Sequence, residues 1–292
     1  MLHTLHPSLN QFYNRIARRP DSHLPLLLSG EAGTGKEVLA RVIHSAGNFR
    51  HTPFTVIPCP LMTEEKLEMA LCTAATPLAR GSADNDTTEV AVTLFLKHVE
   101  ASSPALQKRL LRLLQEKSVT HPLTHQTKHL VLRVFASSRK ILEQEVAAGH
   151  FRQDLFYRLT ITAYVLPPLR ERKEDLLHFV QHFAACYAAH CQEPVATFSA
   201  PALAALQEYD WPGNIRECRR VVWQSLQQNT SRARVIDRIR WVTEENAVNT
   251  PQAAGESGAD NDRDFADDNL SPPGVPAARP AGRIQAHHAQ FR

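Results

Sequence analysis

The sequence predicts an α/β fold with a mostly parallel sheet, followed by a smaller helical domain. Three observations carry this. Short apolar runs alternate with stretches of helical periodicity up to about residue 170, the pattern of strands joined by crossover helices. The first apolar run, residues 24–29, passes directly into a glycine-rich turn at 30–35. From about residue 172 the strand-like runs stop and only helical spacing remains.

Taken in order, residues 1–22 predict a short helix ending near Arg19 and Pro20. Leu24, Leu26, Leu27 and Leu28 make a buried strand, and Val38, Leu39, Val42 and Ile43 recur at helical spacing after the turn. Residues 53–59 suit a second strand and 63–72 a helix. The stretch 73–89 is rich in Ala, Thr, Gly, Asp and Asn and predicts an irregular loop. Residues 90–96 are apolar without alternation, as expected of a strand buried on both faces. Leu106, Leu110, Leu111, Leu113 and Leu114 mark a helix, 130–136 a fourth strand and 161–166 a fifth. Leu176, Leu177, Val180 and Phe183 share one helical face, and Leu203 and Leu206 open another helix. Trp211, Pro212, Gly213 and Asn214 form a turn, with a further helix from Ile215. Past 247 large apolar residues almost vanish, and such a segment buries too little surface to offset its ordering entropy. The expected organisation is an α/β core over 1–170, a helical domain over 171–247 and a disordered tail over 248–292.

Composition narrows the function classes. The 292 residues are 43% hydrophobic and 22% charged, as in ordinary soluble domains. A net charge of +3 is too small to imply nucleic acid. No apolar run approaches the ~20 residues of a membrane helix, and no basic, then apolar leader opens the chain. The 5 cysteines are scattered without a C-x-x-C pair, which indicates neither a disulfide framework nor a zinc site and makes a cytoplasmic location the default expectation.

The strongest chemical signal is Gly30-Glu31-Ala32-Gly33-Thr34-Gly35-Lys36-Glu37, followed by Val38. It fits G-x-x-x-x-G-K, in which glycines let backbone N–H groups converge on phosphate and the lysine supplies a point charge. The helix that starts there adds its positive end. The eighth position usually carries a Ser or Thr hydroxyl for Mg²⁺; here it is Glu37. The usual partner of such a loop is an acidic pair ending a later apolar strand. The strand Thr93-Leu94-Phe95-Leu96 is present, but Lys97 and His98 follow it.

These segments resemble the central AAA+ domain of bacterial enhancer-binding proteins, the activators that use ATP to remodel RNA polymerase carrying sigma-54. Gly30 to Glu37 is similar to that family's GESGTGKE, which itself has Glu in the eighth place. Thr93 to Leu96 resembles the start of TLFLDE, and the run from Gln107 to Glu116 resembles the helix after it. Phe151-Arg152-Gln153-Asp154-Leu155-Phe156-Tyr157-Arg158-Leu159 resembles FREDLYYRL. Leu166 to Arg172 and Trp211-Pro212-Gly213-Asn214-Ile215-Arg216-Glu217 match the family's later motifs, over about residues 5–240 in all. The resemblance implies ATP as ligand at residues 30–38, a sensor II contact from Arg216, and trans arginine fingers at Arg152 and Arg158. It also implies a ring of like subunits, with sigma-54 RNA polymerase as the family's target.

Departures stand beside the matches. Lys97 and His98 replace the Walker B acids, Pro58 replaces the asparagine that gates them, and Ser137 and Ser138 replace the sensor I Thr-Asn pair. No GAFTGA loop appears between Leu71 and Val92, which puts the contact with sigma-54 in doubt, and no helix-turn-helix follows the helical domain. The leading expectation is therefore an ATP-binding regulator, deficient in hydrolysis, that joins an active paralogue in a mixed ring. Whether Mg²⁺ takes part is open. One alternative is a slow ATPase using Glu100 or Glu89 as unorthodox acids. A second is a structural or inhibitory protein with a non-functional nucleotide site. A third is a repressor using the basic cluster Arg216, Arg219, Arg220, Arg232, Arg234, Arg238 and Arg240, against which a solvated helix face is favoured. His121, His125 and His129 sit four apart, but Pro122 argues against a metal-binding helix. His178 and His182 are expected within an amphipathic helix, at the boundary of its buried face, Cys186 and Cys191 as buried thiols, and residues 169–172 at the junction of the two domains.

Overall fold

The computed structural model describes residues 6–17, 23–74, 76–77, 90–121, 127–228 and 235–241, all within one compact unit, Leu2–Val248. The expected tail, Glu89, His125, Arg232 and Arg234, and most of the stretch between Leu71 and Val92 lie outside the described residues.

The strands are β1 (Leu26–Ser29), β2 (Phe54–Pro58), β3 (Thr76–Pro77), β4 (Val90–Lys97), β5 (Ser118–Thr120), β6 (Thr127–Ser138), β7 (Thr162–Val165), β8 (Thr197–Phe198) and β9 (Val235–Ile236). The α-helices are α1 (Pro7–Ala17), α2 (Lys36–Ala46), α3 (Glu64–Ala74), α4 (Pro104–Glu116), α5 (Leu142–Ala147), α6 (Gln153–Leu159), α7 (Leu176–Cys191), α8 (Ala200–Glu208) and α9 (Asn214–Gln227). The main sheet runs β2-β4-β6-β1-β7 with every neighbour along that path parallel. Side chains of β1 and β4 alternate between two buried clusters. Leu27, Leu94 and Leu96 pack with Leu106 and Leu110 of α4 on one face. Leu26, Leu28 and Phe95 pack with Leu39 and Ile43 of α2 on the other. Helices on both faces explain why these strands read as unbroken apolar runs. Each fully buried Leu or Phe contributes about 1.5–3 kcal/mol.

Beyond the sheet, α7, α8 and α9 gather around a third cluster that includes Val180, Leu206, Trp211, Val221 and Val222. Trp211 is fully buried, with its indole N–H donated to the Leu206 carbonyl at 3.0 Å.

Three sequence expectations need correction. The loop expected over 73–89 holds a short strand at Thr76 and Pro77, antiparallel to Val90 and Ala91; two residues of pairing leave too little apolar pattern to detect. The helical domain is not wholly helical, because β8 and β9 pair in parallel. Cys191 is exposed and Cys186 half-buried rather than both buried, since they fall off the inward stripe of Val180, Phe183 and Ala184. His178 and His182 lie on the exposed side of that helix.

Candidate functional site

The glycine loop leaves β1 at its carboxyl end, where open parallel sheets place ligands. Gly30, Gly33 and Gly35 have φ of 142°, 76° and 91°, a region that suits glycine and strains other residues. The loop closes on itself through Thr34, whose hydroxyl donates to the Glu31 carbonyl at 2.9 Å. Lys36 opens α2 and is almost buried. Its ammonium donates to the carbonyls of Gly30 and Glu31, both at 2.7 Å, so its charge sits in the mouth of the loop. Val38 lies in the first turn of α2, partly buried.

The helical domain grips this loop from above. Ile215 N–H donates to the Gly33 carbonyl at 3.0 Å. A Cβ on Gly33 would lie 2.2 Å from the Gly213 carbonyl oxygen and 3.2 Å from Arg216 Cβ. Arg216 therefore stands against the loop at the start of α9. Asn214 bridges the parts: its amide donates to Ala32 O at 2.9 Å and Glu31 Oε2 at 3.1 Å, and its Oδ1 accepts from Leu169 N–H at 2.7 Å. Arg170 forks onto the Glu31 carboxylate at 2.6 and 2.9 Å. That fork, with the Asn214 amide, holds the Glu31 carboxyl below its usual pKa. Arg172, buried, donates to the Thr34 carbonyl at 2.7 Å, and its burial lowers its own pKa. The sequence marked residues 169–172 and 211–217 as motifs, but nothing in it showed that Arg170, Arg172 and Asn214 bond the loop itself.

The strand ends beside the loop are different. Lys97 closes β4, opposite Pro58 of β2. Its ammonium is 3.7 Å from Glu37 Oε2. The other oxygen of Glu37 accepts a two-nitrogen fork from Arg41, at 2.9 and 3.3 Å. His98 takes a left-handed backbone, φ 57°; its N–H donates to Ser137 Oγ at 3.3 Å and its ring faces Glu100 Oε1 at 3.5 Å. Ser138 Oγ is engaged locally with Lys140, donating to its carbonyl at 2.7 Å. Glu100 Oε1 accepts the Arg139 N–H at 3.1 Å. Burial pushes the Glu100 carboxyl up, but hydrogen bonds from His98 and the Arg139 backbone outweigh it and leave the pKa lowered.

A divalent metal does not fit these side chains. Glu37 is the carboxylate at the eighth loop position, and both its oxygens face cations. Among the described residues no group of three His, Cys, Asp or Glu could hold a metal ion. That includes His121, just after β5, and His129, within β6 opposite Ser118.

Arg152 and Arg158 lie at the two ends of α6, both exposed. Arg152 forks onto Asp154 at 2.7 and 3.0 Å, which raises its pKa. Its backbone N–H donates to Gln107 Oε1 at 2.9 Å. Gln107 is buried and its amide donates to the Ser102 and His150 carbonyls, each at 3.0 Å. A glutamine near the start of α4 thus fixes where the arginine segment starts, a role no sequence signal revealed.

Residues 2–164 match the sigma-54 interaction domain family, and residues 170–252 match the AAA+ ATPase lid domain. The chain belongs to the sigma-54 interaction domain family. It is 35% identical over 230 residues to the transcriptional regulatory protein ZraR of Salmonella typhimurium, covering 75% of this chain and 51% of ZraR. It is 37% identical over 209 residues to the sigma54-dependent transcriptional activator SfnR of Pseudomonas putida, covering 70% of this chain and 57% of SfnR. Among solved structures it is similar to NtrX from Brucella abortus in complex with ATP. The TM-score is 0.64 at 26% identity, over 77% of this chain and 52% of NtrX. The chain spans about half the length of these relatives. In AAA+ terms, the sheet with α1 to α6 is the core and α7 to α9 the lid. No helix among the described residues is long and apolar enough to cross a membrane.

Proposed function

We propose that this chain is an ATP-binding AAA+ regulator of the sigma-54 activator type that hydrolyses ATP weakly or not at all. The observation that carries this is the contrast within one cleft: a complete glycine loop with Lys36, beside a strand end that presents Lys97 and His98. ATP lies between a core of 1–170 and a lid of 171–247, its phosphates met by the backbone of residues 30–37, by Lys36 and by Arg216. Removing a general base alone costs about 10²–10⁴-fold in rate, and here neither a metal-holding nor a water-polarising carboxylate ends β4. The chain acts in the cytoplasm as a subunit of a ring with an active paralogue. There it lends exposed Arg152 and Arg158 to the neighbour's ATP, and the ring works on sigma-54 RNA polymerase.

Glu100 does not rescue hydrolysis in this reading, because its carboxylate is tied to Arg139 and His98 behind the strand end. A second reading, a scaffold whose loop takes no nucleotide, draws on the bonds that Lys36 makes to the loop's own carbonyls.

Calorimetric titration of ATP into the protein, with Lys36→Ala beside it, separates these. Binding that disappears in the variant supports the regulator; no heat from the parent leaves the scaffold. Mixing the chain with an active sigma-54 activator and finding its ATPase rate unchanged would sink the mixed ring.

A further inference from the structure

Resting on the nucleotide-binding reading above, we infer that Lys97 takes the place of the divalent cation, so that this chain binds ATP without Mg²⁺. In phosphate-binding loops of this kind two protein positions hold the metal: the residue after the loop lysine and the acid that ends a later strand, here β4, one strand removed from β1. In this chain those positions are Glu37 and Lys97, and they are joined to each other at 3.7 Å. The pair is well enclosed, with side chains 15% and 19% exposed.

The surroundings hold Lys97 where it is. Its backbone is clamped in β4 between two parallel neighbours, with Pro58 opposite it on β2 and Leu96 paired to Ala136 of β6. Glu37 cannot turn away to meet a metal without leaving Arg41, whose guanidinium also lies 4.6 Å from the centre of the Phe54 ring. A second cation at this point would meet the Lys97 ammonium at short range, where like charges repel strongly. Glu100, three residues on from Lys97, is committed to Arg139 N–H and has a side chain only 6% exposed.

The consequence is a site with its counter-charge built in. Lys36, bonded to the Gly30 and Glu31 carbonyls at 2.7 Å, and Lys97, 3.7 Å from Glu37, place two ammonium groups at the loop. A triphosphate without its metal keeps its full negative charge, which suits two tethered cations better than the metal complex does. The ligand class is therefore the free nucleoside triphosphate.

The test is calorimetry of ATP into the full chain in buffer with MgCl₂ and in buffer with EDTA. The parent is expected to bind in both, with Kd agreeing to within about threefold. Lys97→Gln is expected to weaken binding in EDTA by about tenfold or more, and Lys97→Asp to bind only when Mg²⁺ is present. Thermal melts of both variants without nucleotide check that they fold, while the parent's measurement needs no variant. Parent binding at least about tenfold weaker in EDTA than in Mg²⁺ overturns the inference and leaves the nucleotide reading standing. Equal binding in EDTA by the parent and a folded Lys97→Gln also overturns it. No binding in either buffer overturns both.

Discussion

The two sides of the cleft are built from different materials. On the loop side, recognition rests on backbone: three glycines with positive φ, carbonyls bonded by Lys36, Arg172, Asn214 and Ile215, and a lid turn packed too tightly for a methyl group on Gly33. On the strand-end side, everything depends on which side chains happen to stand there, and these are Lys97, His98, Ser137 and Ser138. The β4 and β6 backbones keep their parallel register through Leu96 and Ala136, so the frame does not depend on the side chains at the strand end. A backbone-built cradle is disturbed only where a substitution shifts the backbone itself, whereas a side-chain constellation is altered one residue at a time.

The largest expected effect comes from rewriting the second side. Lys97→Asp combined with His98→Glu returns carboxylates to the end of β4. Steady-state ATP turnover with Mg²⁺ is expected to rise by about 10²-fold over the parent. If the rate stays at background, the deficiency lies in Pro58, Ser137 or Ser138 instead, and the contrast drawn here is too simple.

Next is the seam between loop and lid. In Gly33→Ala the new methyl would lie 2.2 Å from the Gly213 carbonyl oxygen at a φ of 76°. A loss of about 2–4 kcal/mol in unfolding stability is expected, with ATP binding lost as well. Chemical denaturation reads the first and calorimetry the second. A stable, nucleotide-binding variant would show that the lid moves freely off the loop.

A smaller effect reports on the frame common to both sides. His44 of α2 is buried against Phe54, ring centroids 5.3 Å apart. Burial, helped by the charges of Arg133 and Arg41, lowers its pKa from 6.5 to about 4. The neutral ring is therefore favoured in the folded state. Its contribution is complete above pH 6.5 and is lost as pH falls from there towards about 4. Up to about 3 kcal/mol is at stake over that window. Denaturation midpoints across pH 4–7, compared with His44→Phe, isolate it. A variant with the parent's full pH slope would show that other groups set it.

The smallest effect belongs to the fork between Arg170 and Glu31, whose side chains are 40% and 42% exposed. Arg170→Ala is expected to leave the melting temperature almost unchanged, because an exposed ion pair adds little to stability. A larger loss in a thermal melt would mean that this fork, and not Asn214, carries the seam.

The frame was legible before folding was considered. Alternating apolar runs and helical spacing reported the sheet, because each strand is covered on both faces and its residues have no choice but to be apolar. The glycine loop was equally legible, since positive φ and close backbone approach demand glycine at fixed intervals. The departures at Lys97 and His98 were visible as wrong residue types at a known place. How separated segments use each other becomes visible only once the chain is folded. Glu37 and Lys97 lie 60 positions apart in the chain and pair across the cleft. Asn214 reaches the loop from 182 residues away, and Gln107 positions Arg152 from 45. Local propensity and periodicity describe a residue's own element, whereas such bonds depend on how elements are brought together, and no single stretch of sequence records that distance.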